Sequence, residues 1–83
     1  MNKLSINSLK IIVADLLDLS VADLSLDQPF HEQGEYDSLK VVLLMASLEE
    51  DFALTVPPTE AWELNSIREI VEFAQKQEFV VED

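Results

Sequence analysis

Cysteine is absent from the 83-residue chain, which excludes disulfide bonds, thiolate metal sites and a cysteine nucleophile. One glycine and three prolines leave little material for tight hairpins. The longest uninterrupted apolar run, residues 41–46, is far too short to cross a membrane. No apolar signal core follows Lys3 near the N-terminus. We therefore expect a soluble, cytoplasmic protein that does not associate with membranes.

Basic residues are also scarce, with 5 Lys and Arg against 17 Asp and Glu, and the formal net charge is −12. Nucleic acid is excluded as a partner, because phosphate binding needs clustered Lys and Arg. Anionic membrane surfaces are disfavoured for the same reason. The charge favours a basic protein partner. The alternative is that the acidity only keeps a small protein soluble.

The residues needed for an active site of its own are missing as well. The single histidine, His31, lies before Ser38 in a polar loop, and a lone loop histidine is usually only a solvated side chain. No phosphate-binding glycine loop and no EF-hand spacing occur, and consecutive acids such as 49–51 would point in different directions on a helix. We therefore expect neither an enzyme nor a metal-binding protein.

Three long helices are predicted from apolar residues that recur at three- and four-residue steps. The first covers about 5–19 with Ser5 or Asn7 as its cap, the second covers 38–52, and the last opens at Asn65-Ser66. Ser66 and the glutamate three residues later fit a capping box.

The connections between these helices contain shorter elements. Residues 20–36 form a long first loop with a helical turn near 30–33, and 59–64 form a short helix with Thr59 as its cap. Trp62 in that short helix is expected to be a packing residue.

The chain as a whole is predicted to be all-α. No segment alternates apolar and polar residues over a sustained length, so we predict a small four-helix bundle with three longer helices, one short third helix and a long first loop. Residues 1–83 would make a single domain, with a tail that frays over 78–83.

The chain is organised around Asp37-Ser38-Leu39, where a polar loop ends and the long apolar helix begins. Serine is a good N-cap residue, so Ser38 is expected at the helix N-terminus, exposed and beside a carboxylate. No base lies next to Ser38 in the sequence to activate it. Ser38 is therefore interpreted as an attachment point and not as a nucleophile acting alone.

The helix that follows Ser38 has two apolar faces. At 100° per residue, one arc faces the core and a second lies on roughly the opposite side. A domain this small cannot easily bury both, so we expect the second arc to be an exposed contact surface unless a neighbouring helix or the long loop covers it. The core arc consists of Val41, Leu44, Met45, Leu48 and Phe52. The second arc consists of Leu39, Val42, Leu43 and Ala46, and Glu49 and Glu50 continue it.

These motifs, taken together, resemble the acyl carrier proteins. The resemblance rests on Asp37-Ser38-Leu39, on the run 48–52 that reads Leu-Glu-Glu-Asp-Phe, and on Val56-Pro57, in an acidic chain of this length. It extends over nearly the whole sequence. It implies the four-helix carrier fold and a non-catalytic protein.

The resemblance also implies a covalent cofactor. In that family the serine that matches Ser38 carries a 4'-phosphopantetheine arm, which a phosphopantetheinyl transferase installs from coenzyme A with magnesium. The arm holds acyl groups as thioesters on its own thiol, so the lack of cysteine is no obstacle. Asp37 matches the transferase-recognition motif. Leu39, Ala46, Glu49 and Glu50 match positions that family members present to partner enzymes, and we expect a monomer.

Two positions on the Ser38 helix depart from the fatty-acid carriers. Lys40 and Leu43 stand where those carriers often have acids. Many family members also read Leu-Gly-x-Asp-Ser, whereas this chain reads Gly34-Glu35-Tyr36-Asp37-Ser38, so the glycine is displaced by one place and Tyr36 precedes the aspartate. The expected partners are acyl-loading and acyl-processing enzymes of fatty acid, polyketide or specialised lipid biosynthesis. An aminoacyl or peptidyl carrier, or an unmodified helical interaction module in which Ser38 is only a cap, are the alternatives.

Overall fold

The computed structural model describes residues 2–83 and confirms the all-α class, with helices packed around one apolar core. A single 3₁₀ turn, Val21–Asp23, lies in the long first loop. The predicted turn near residue 30 is a short helix of its own. The elements in chain order are β1 Lys3–Ser5, α1 Ile6–Leu17, α2 Phe30–Gln33, α3 Ser38–Phe52, α4 Pro58–Ala61, α5 Ile67–Lys76 and β2 Val80–Glu82.

The first helix begins at the predicted cap and ends earlier than predicted. The Ser5 hydroxyl accepts the backbone N–H of Ser8 at 3.2 Å. The helix stops at Leu17 because Asp18 adopts a left-handed conformation, φ 58°, and its N–H bonds back to the last turn. Aspartate tolerates this conformation better than most residues do. The helix therefore ends two residues before Leu19, its predicted end.

The last two helices begin in different ways. The Ser66 hydroxyl accepts the Glu69 N–H at 3.1 Å, as the capping box predicts, and the Glu69 carboxylate accepts the Asn65 N–H at 2.8 Å. The prediction that Thr59 caps α4 is wrong, because that helix begins one residue earlier, at Pro58. A proline at the first helical position has its φ already fixed and lacks only an N–H that would have no partner there.

A short pair of parallel strands, β1 and β2, joins the two ends of the chain and was not predicted. Leu4 lies opposite Val81, and the Val80 N–H donates to the Asn2 carbonyl at 2.9 Å. Within the tail 78–83, which the sequence predicts to fray, Val80–Glu82 forms the strand β2. Strands of three residues are too short to show the alternation by which strands are recognised.

The long helix α3 places its core face as predicted. Its inward side chains are buried or half-buried against α1 and the rest of the core. The core residues of α3 are Val41, Leu44, Met45, Leu48 and Phe52.

The long first loop is fastened to the start of α5. The Phe30 N–H donates to the Asn65 carbonyl at 2.7 Å, and the Arg68 N–H donates to the Leu26 carbonyl at 3.0 Å. Within the loop, the Gln33 amide accepts from the Ser25 N–H and donates to two loop carbonyls. These bonds hold the segment that leads into α3.

In residues 2–83, every helix is too short or too polar to pass through a bilayer.

Candidate functional site

The start of α3 is capped by Asp37 and not by Ser38, which corrects the sequence prediction. The Asp37 backbone is extended, and its carboxylate accepts the Lys40 N–H at 3.0 Å. Ser38 is thus the first residue inside the helix. Aspartate and serine are both strong N-cap residues, and here the aspartate takes the position.

This arrangement leaves the Ser38 hydroxyl available for chemistry. Ser38 is exposed, and no side-chain hydrogen bond engages its Oγ within residues 2–83. The first backbone N–H groups of a helix have no partner in the helix, and the helix dipole favours negative charge there. A phosphodiester on this oxygen therefore fits the site, although the Asp37 carboxylate beside it adds a like charge.

The residue before the cap anchors the loop in the core. The Tyr36 ring lies 5.0 Å from the ring of buried Phe30, centroid to centroid, at an angle of 55°. Nearby, Gly34 passes so close to the end of α1 that a Cβ on it would lie 3.1 Å from the Leu17 carbonyl oxygen. Asp37 and Ser38 therefore follow directly from a packed segment, which limits how far they can move.

The Tyr36 hydroxyl is buried and has no hydrogen-bond partner among the described residues. Burial raises the pKa of Tyr36 to about 12, because the charged phenolate loses its hydration. An unpaired buried hydroxyl costs free energy. The ring of Tyr36, and not its hydroxyl, accounts for its packing in this fold.

The second apolar face of α3 is exposed, as the sequence predicts. Leu39 is 65% exposed, Val42 62% and Leu43 47%, and Ala46 is exposed too. Neither a neighbouring helix nor the long loop covers these side chains. A contiguous apolar patch on so small a domain is typical of an interaction surface.

Charged residues border this face at both ends. Glu49 and Glu50 are exposed towards the C-terminal end of α3, and Asp37 is exposed at its start. Lys40, which is half-buried, is the only basic residue of the helix. The surface is therefore apolar in the middle and acidic at its far end, and a basic protein surface is complementary to it.

His31 makes no hydrogen bond to Ser38 among residues 2–83. It is exposed on α2, where its Nε2 lies 3.9 Å from a carboxylate oxygen of Glu32.

Trp62 lies at the surface, which the sequence does not predict. It is 58% exposed at the end of α4 and does not pack in the core, so its assignment as a packing residue is wrong. With Val42 it lines a shallow apolar groove between α3 and α4. Helix α4 covers too few turns for a periodic pattern to show which side faces the core, so spacing could not locate Trp62.

The chain matches the model of a known protein family. The family model described as the phosphopantetheine attachment site matches residues 7–74, which is most of the chain and includes Ser38. The matched segment runs from α1 into α5.

Individual relatives show the same similarity. The chain is 29% identical over 72 residues to an acyl carrier protein of Chlamydia trachomatis serovar D, covering 87% of this chain and 94% of that protein. It is 41% identical over 61 residues to a 5-methyl-1-naphthoate synthase of Streptomyces sahachiroi, a match that covers 74% of this chain but only 3% of that much longer protein.

A solved structure has the same fold. A free-standing peptidyl carrier protein of Acinetobacter baumannii superposes with a TM-score of 0.73 at 22% sequence identity, covering 87% of this chain and 89% of that one. At this identity the likeness supports the fold, which is the helical bundle of carrier proteins.

Proposed function

Because the chain belongs to the phosphopantetheine-binding family of acyl carrier proteins, we propose that Ser38 is the residue to which its 4'-phosphopantetheine arm is attached. The family is not catalytic: its members carry intermediates, and phosphopantetheinyl transferases and biosynthetic enzymes act on them. The observation that supports Ser38 is its exposed hydroxyl at the first position of α3, free of the capping bond that Asp37 makes.

The attachment step needs a second protein. The Ser38 Oγ attacks the phosphorus of coenzyme A that bears pantetheine, an O–P bond forms, and the P–O bond to adenosine 3',5'-bisphosphate breaks. The hydroxyl proton is proposed to pass to a base of the transferase. Magnesium brought with coenzyme A would neutralise charge on the pyrophosphate. Asp37 is proposed to be part of the surface that the transferase recognises.

The arm is proposed to carry acyl intermediates as thioesters for a fatty acid, polyketide or specialised lipid synthase. Exposed Leu43 and half-buried Lys40 make this face less acidic than the fatty-acid carrier pattern, which favours specialised partners. The match to a segment of a 5-methyl-1-naphthoate synthase supports an acyl cargo. The structural likeness to a peptidyl carrier keeps aminoacyl cargo as the second candidate.

Three further proposals concern the domain as a whole: its oligomeric state, its compartment and its docking face. Residues 1–83 are proposed to form one carrier domain that acts as a monomer in the cytoplasm, since its net charge of −12 opposes self-association and the lack of cysteine suits a reducing compartment. Leu39, Val42, Leu43 and Ala46, with Glu49 and Glu50, are proposed to be the docking face for its partner enzymes.

Intact mass tests the attachment. The unmodified protein, incubated with coenzyme A, magnesium and a broad-specificity phosphopantetheinyl transferase, should gain one phosphopantetheinyl group. Ser38→Ala should gain none, and Ser8→Ala, a matched change at an exposed serine of α1, should be modified fully. No mass gain in the wild-type chain would support an unmodified interaction module instead.

A loading assay on the modified protein distinguishes the cargo. One reaction offers malonyl-coenzyme A with a malonyl transferase, and the other offers amino acids with ATP and an adenylating enzyme. We expect a thioester in the first reaction and none in the second, each read from the mass of the intact protein. The opposite result would identify an aminoacyl or peptidyl carrier.

A further inference from the structure

The sheet formed by β1 and β2 leaves one edge of β2 open. The Val80 N–H donates to the Asn2 carbonyl at 2.9 Å, so the backbone groups of Val80 lie on the side of β1. Successive residues of a strand direct these groups to opposite sides, so the N–H and C=O of Val81 point away from β1. Within residues 2–83 the sheet has only two strands, and none pairs with that side. Val81 therefore presents an unpaired donor and an unpaired acceptor.

The side chains of this segment alternate between the core and the solvent. Phe79 is buried and Val81 packs against the core, whereas Val80 is 36% exposed and Glu82 is exposed. Valine and phenylalanine are enriched in strands, so the segment suits extended pairing. Two strands of three residues make a marginal sheet by themselves, and a third strand would add hydrogen bonds to it.

A tight turn after α5 fixes β2 in this position. Helix α5 ends at Lys76, and Glu78 adopts a left-handed conformation, φ 65°. The Phe79 N–H then donates to the Ala74 carbonyl at 3.0 Å, which brings the chain back beside the helix. The turn conformation of Glu78 costs roughly 1 kcal/mol, and burial of the Phe79 ring is large enough to offset it. Strand β2 is thus already extended, so a partner need not order it on binding.

The charges beside this edge determine which partner fits. Residues 77–83 contain three acids and no lysine or arginine, and all three acids are exposed. Pairing with the same edge of a second copy would bring acids close to acids, between chains of net charge −12. A strand that carries Lys or Arg next to its apolar residues is complementary instead. The acids are Glu78, Glu82 and Asp83.

We propose that the free edge of β2 binds an extended, basic segment of a partner protein as a third strand of the sheet. The N–H and C=O of Val81 pair with the backbone of that segment, and one of its apolar side chains lies beside exposed Val80. Its basic side chains face Glu78 and Glu82. Strand addition of this kind takes its affinity from main-chain hydrogen bonds and its specificity from side chains. The site belongs to neither α3 nor α4, so it does not depend on modification of Ser38.

Peptide binding followed by NMR tests the edge. The probe is the synthetic peptide acetyl-Lys-Val-Thr-Val-Thr-Lys-amide, titrated into the ¹⁵N-labelled full chain up to millimolar concentration. In the free protein the Val81 amide should exchange rapidly with solvent, whereas the Val80 amide should be protected by its bond to Asn2. The peptide should move the Val81 amide resonance downfield and slow its hydrogen exchange by about tenfold.

Two altered peptides separate backbone pairing from the effect of charge. The same peptide with N-methyl groups on its four central amides keeps the side chains and the charge but cannot donate these hydrogen bonds, so it should not bind. A peptide with Glu in place of both Lys keeps the backbone donors but carries the wrong charge, so it should not bind either.

Variants of the protein test the same two features. Val81→Pro removes the edge donor and should abolish peptide binding, because proline is tolerated in a strand only where its N–H would face solvent. If this variant loses the β1–β2 pairing, seen as lost protection of the Val80 amide, the N-methylated peptide decides the question. Glu82→Lys should weaken binding about threefold, and Glu35→Lys, the matched change at an exposed acid outside the sheet, should leave it at the wild-type value.

Three results would overturn the proposal. An unmoved Val81 amide at millimolar peptide would refute the site, and equal binding of the N-methylated peptide would show that no third strand forms. A protected Val81 amide in the protein alone, with the sedimentation coefficient of a dimer, would assign the edge to a second copy of this chain. All these measurements use the unmodified chain, so a failure of phosphopantetheine attachment would refute the proposed function and leave the edge unaffected.

Discussion

The Asp37 carboxylate accepts the backbone N–H of Lys40 at 3.0 Å and so caps the helix whose first residue is Ser38. The Asp37 carboxylate pairs with the Lys40 N–H, so the Ser38 hydroxyl is not needed as a cap. Its negative charge also lies next to the proposed attachment point. Asp37 can therefore act in two ways, as a structural cap and as a charge that a transferase recognises, and substitution separates them.

Substitution of Asp37 should affect stability and modification differently. Asp37→Ala removes the cap, so the free energy of unfolding should fall by about 1 kcal/mol, whereas Asp37→Asn keeps a capping oxygen and should cost much less. Both variants lose the charge, so both should slow phosphopantetheinylation by about tenfold. Urea denaturation and mass time courses measure the two effects, and Asp15→Asn on α1 is the control. Wild-type modification of Asp37→Asn would show that Asp37 is only a cap.

The Tyr36 hydroxyl should be dispensable for folding. It is buried without a partner in the described chain, so Tyr36→Phe should raise the free energy of unfolding by about 1 kcal/mol while it keeps the contact with Phe30. Thermal or urea denaturation at neutral pH measures the change. A loss of stability in Tyr36→Phe would mean that the hydroxyl makes a stabilising hydrogen bond in solution.

The same residue predicts how stability changes at alkaline pH. The pKa of Tyr36 is about 12 in the folded protein against 10.0 for an unperturbed tyrosine, so the unfolded chain releases this proton first. Ionisation of Tyr36 therefore leaves the free energy of unfolding unchanged below pH 10 and lowers it as the pH rises towards about 12. Tyr36 is the only tyrosine, so its absorbance reports the titration directly. Tyr36→Phe should lack this part of the alkaline destabilisation.

The Asp27–Arg68 ion pair should make the long loop sensitive to acid. A hydrogen bond from the Arg68 guanidinium, together with its charge, holds the pKa of Asp27 below the usual 3.8. The ion pair therefore contributes to the free energy of unfolding above pH 3.8. This contribution is lost as the pH falls through the lower pKa that Asp27 has in the folded protein. Both side chains are exposed, so salt should weaken the effect.

Melting temperatures measured across the acid range test this pair. The difference between wild type and Asp27→Asn should shrink as the pH falls below about 3.8, and it should be smaller in high salt. Asp15→Asn, an exposed change on α1, should show no such convergence. The backbone bond from Arg68 to Leu26 remains in either variant, so the loop should stay in place.

Periodic features of the sequence were predictable, and features that depend on contact between distant segments were not. The two faces of α3 follow from the helical repeat alone, and both Leu44 in the core and Val42 at the surface lie where spacing puts them. The strand pair that sets Leu4 opposite Val81 joins the two ends of the chain, and no local pattern predicts that pairing.

The candidate site shows the same limit at closer range. Asp37 and Ser38 are adjacent and both favour the cap position, so sequence alone could not decide between them, and the extended backbone at Asp37 does. Trp62 directly follows the four-residue helix α4, so its exposure depends on how α4 packs on α3. The resemblance predicts a role for Ser38, whereas only the packing of α4 on α3 reveals the groove that Trp62 lines.

The acidic end of α3 should control how fast partners associate. Glu49 and Glu50 are exposed at the far end of the apolar face, where they can attract a basic enzyme surface over several ångströms. Glu49→Lys with Glu50→Lys should lower the association rate with such a partner by roughly tenfold at low salt and should weaken its salt dependence. Stopped-flow measurements with the transferase at several ionic strengths give both quantities.

A control with the same change in net charge separates this surface from a general charge effect. Asp15→Lys with Asp83→Lys also converts two exposed acids to lysine, but neither residue lies on α3. If long-range attraction depends only on net charge, the two double variants should slow association equally. If Glu49 and Glu50 lie within the contact, as the exposed face of Leu39 and Val42 suggests, their reversal should have the larger effect at low salt. Part of that effect should remain at high salt, because charges in contact are screened less than distant ones.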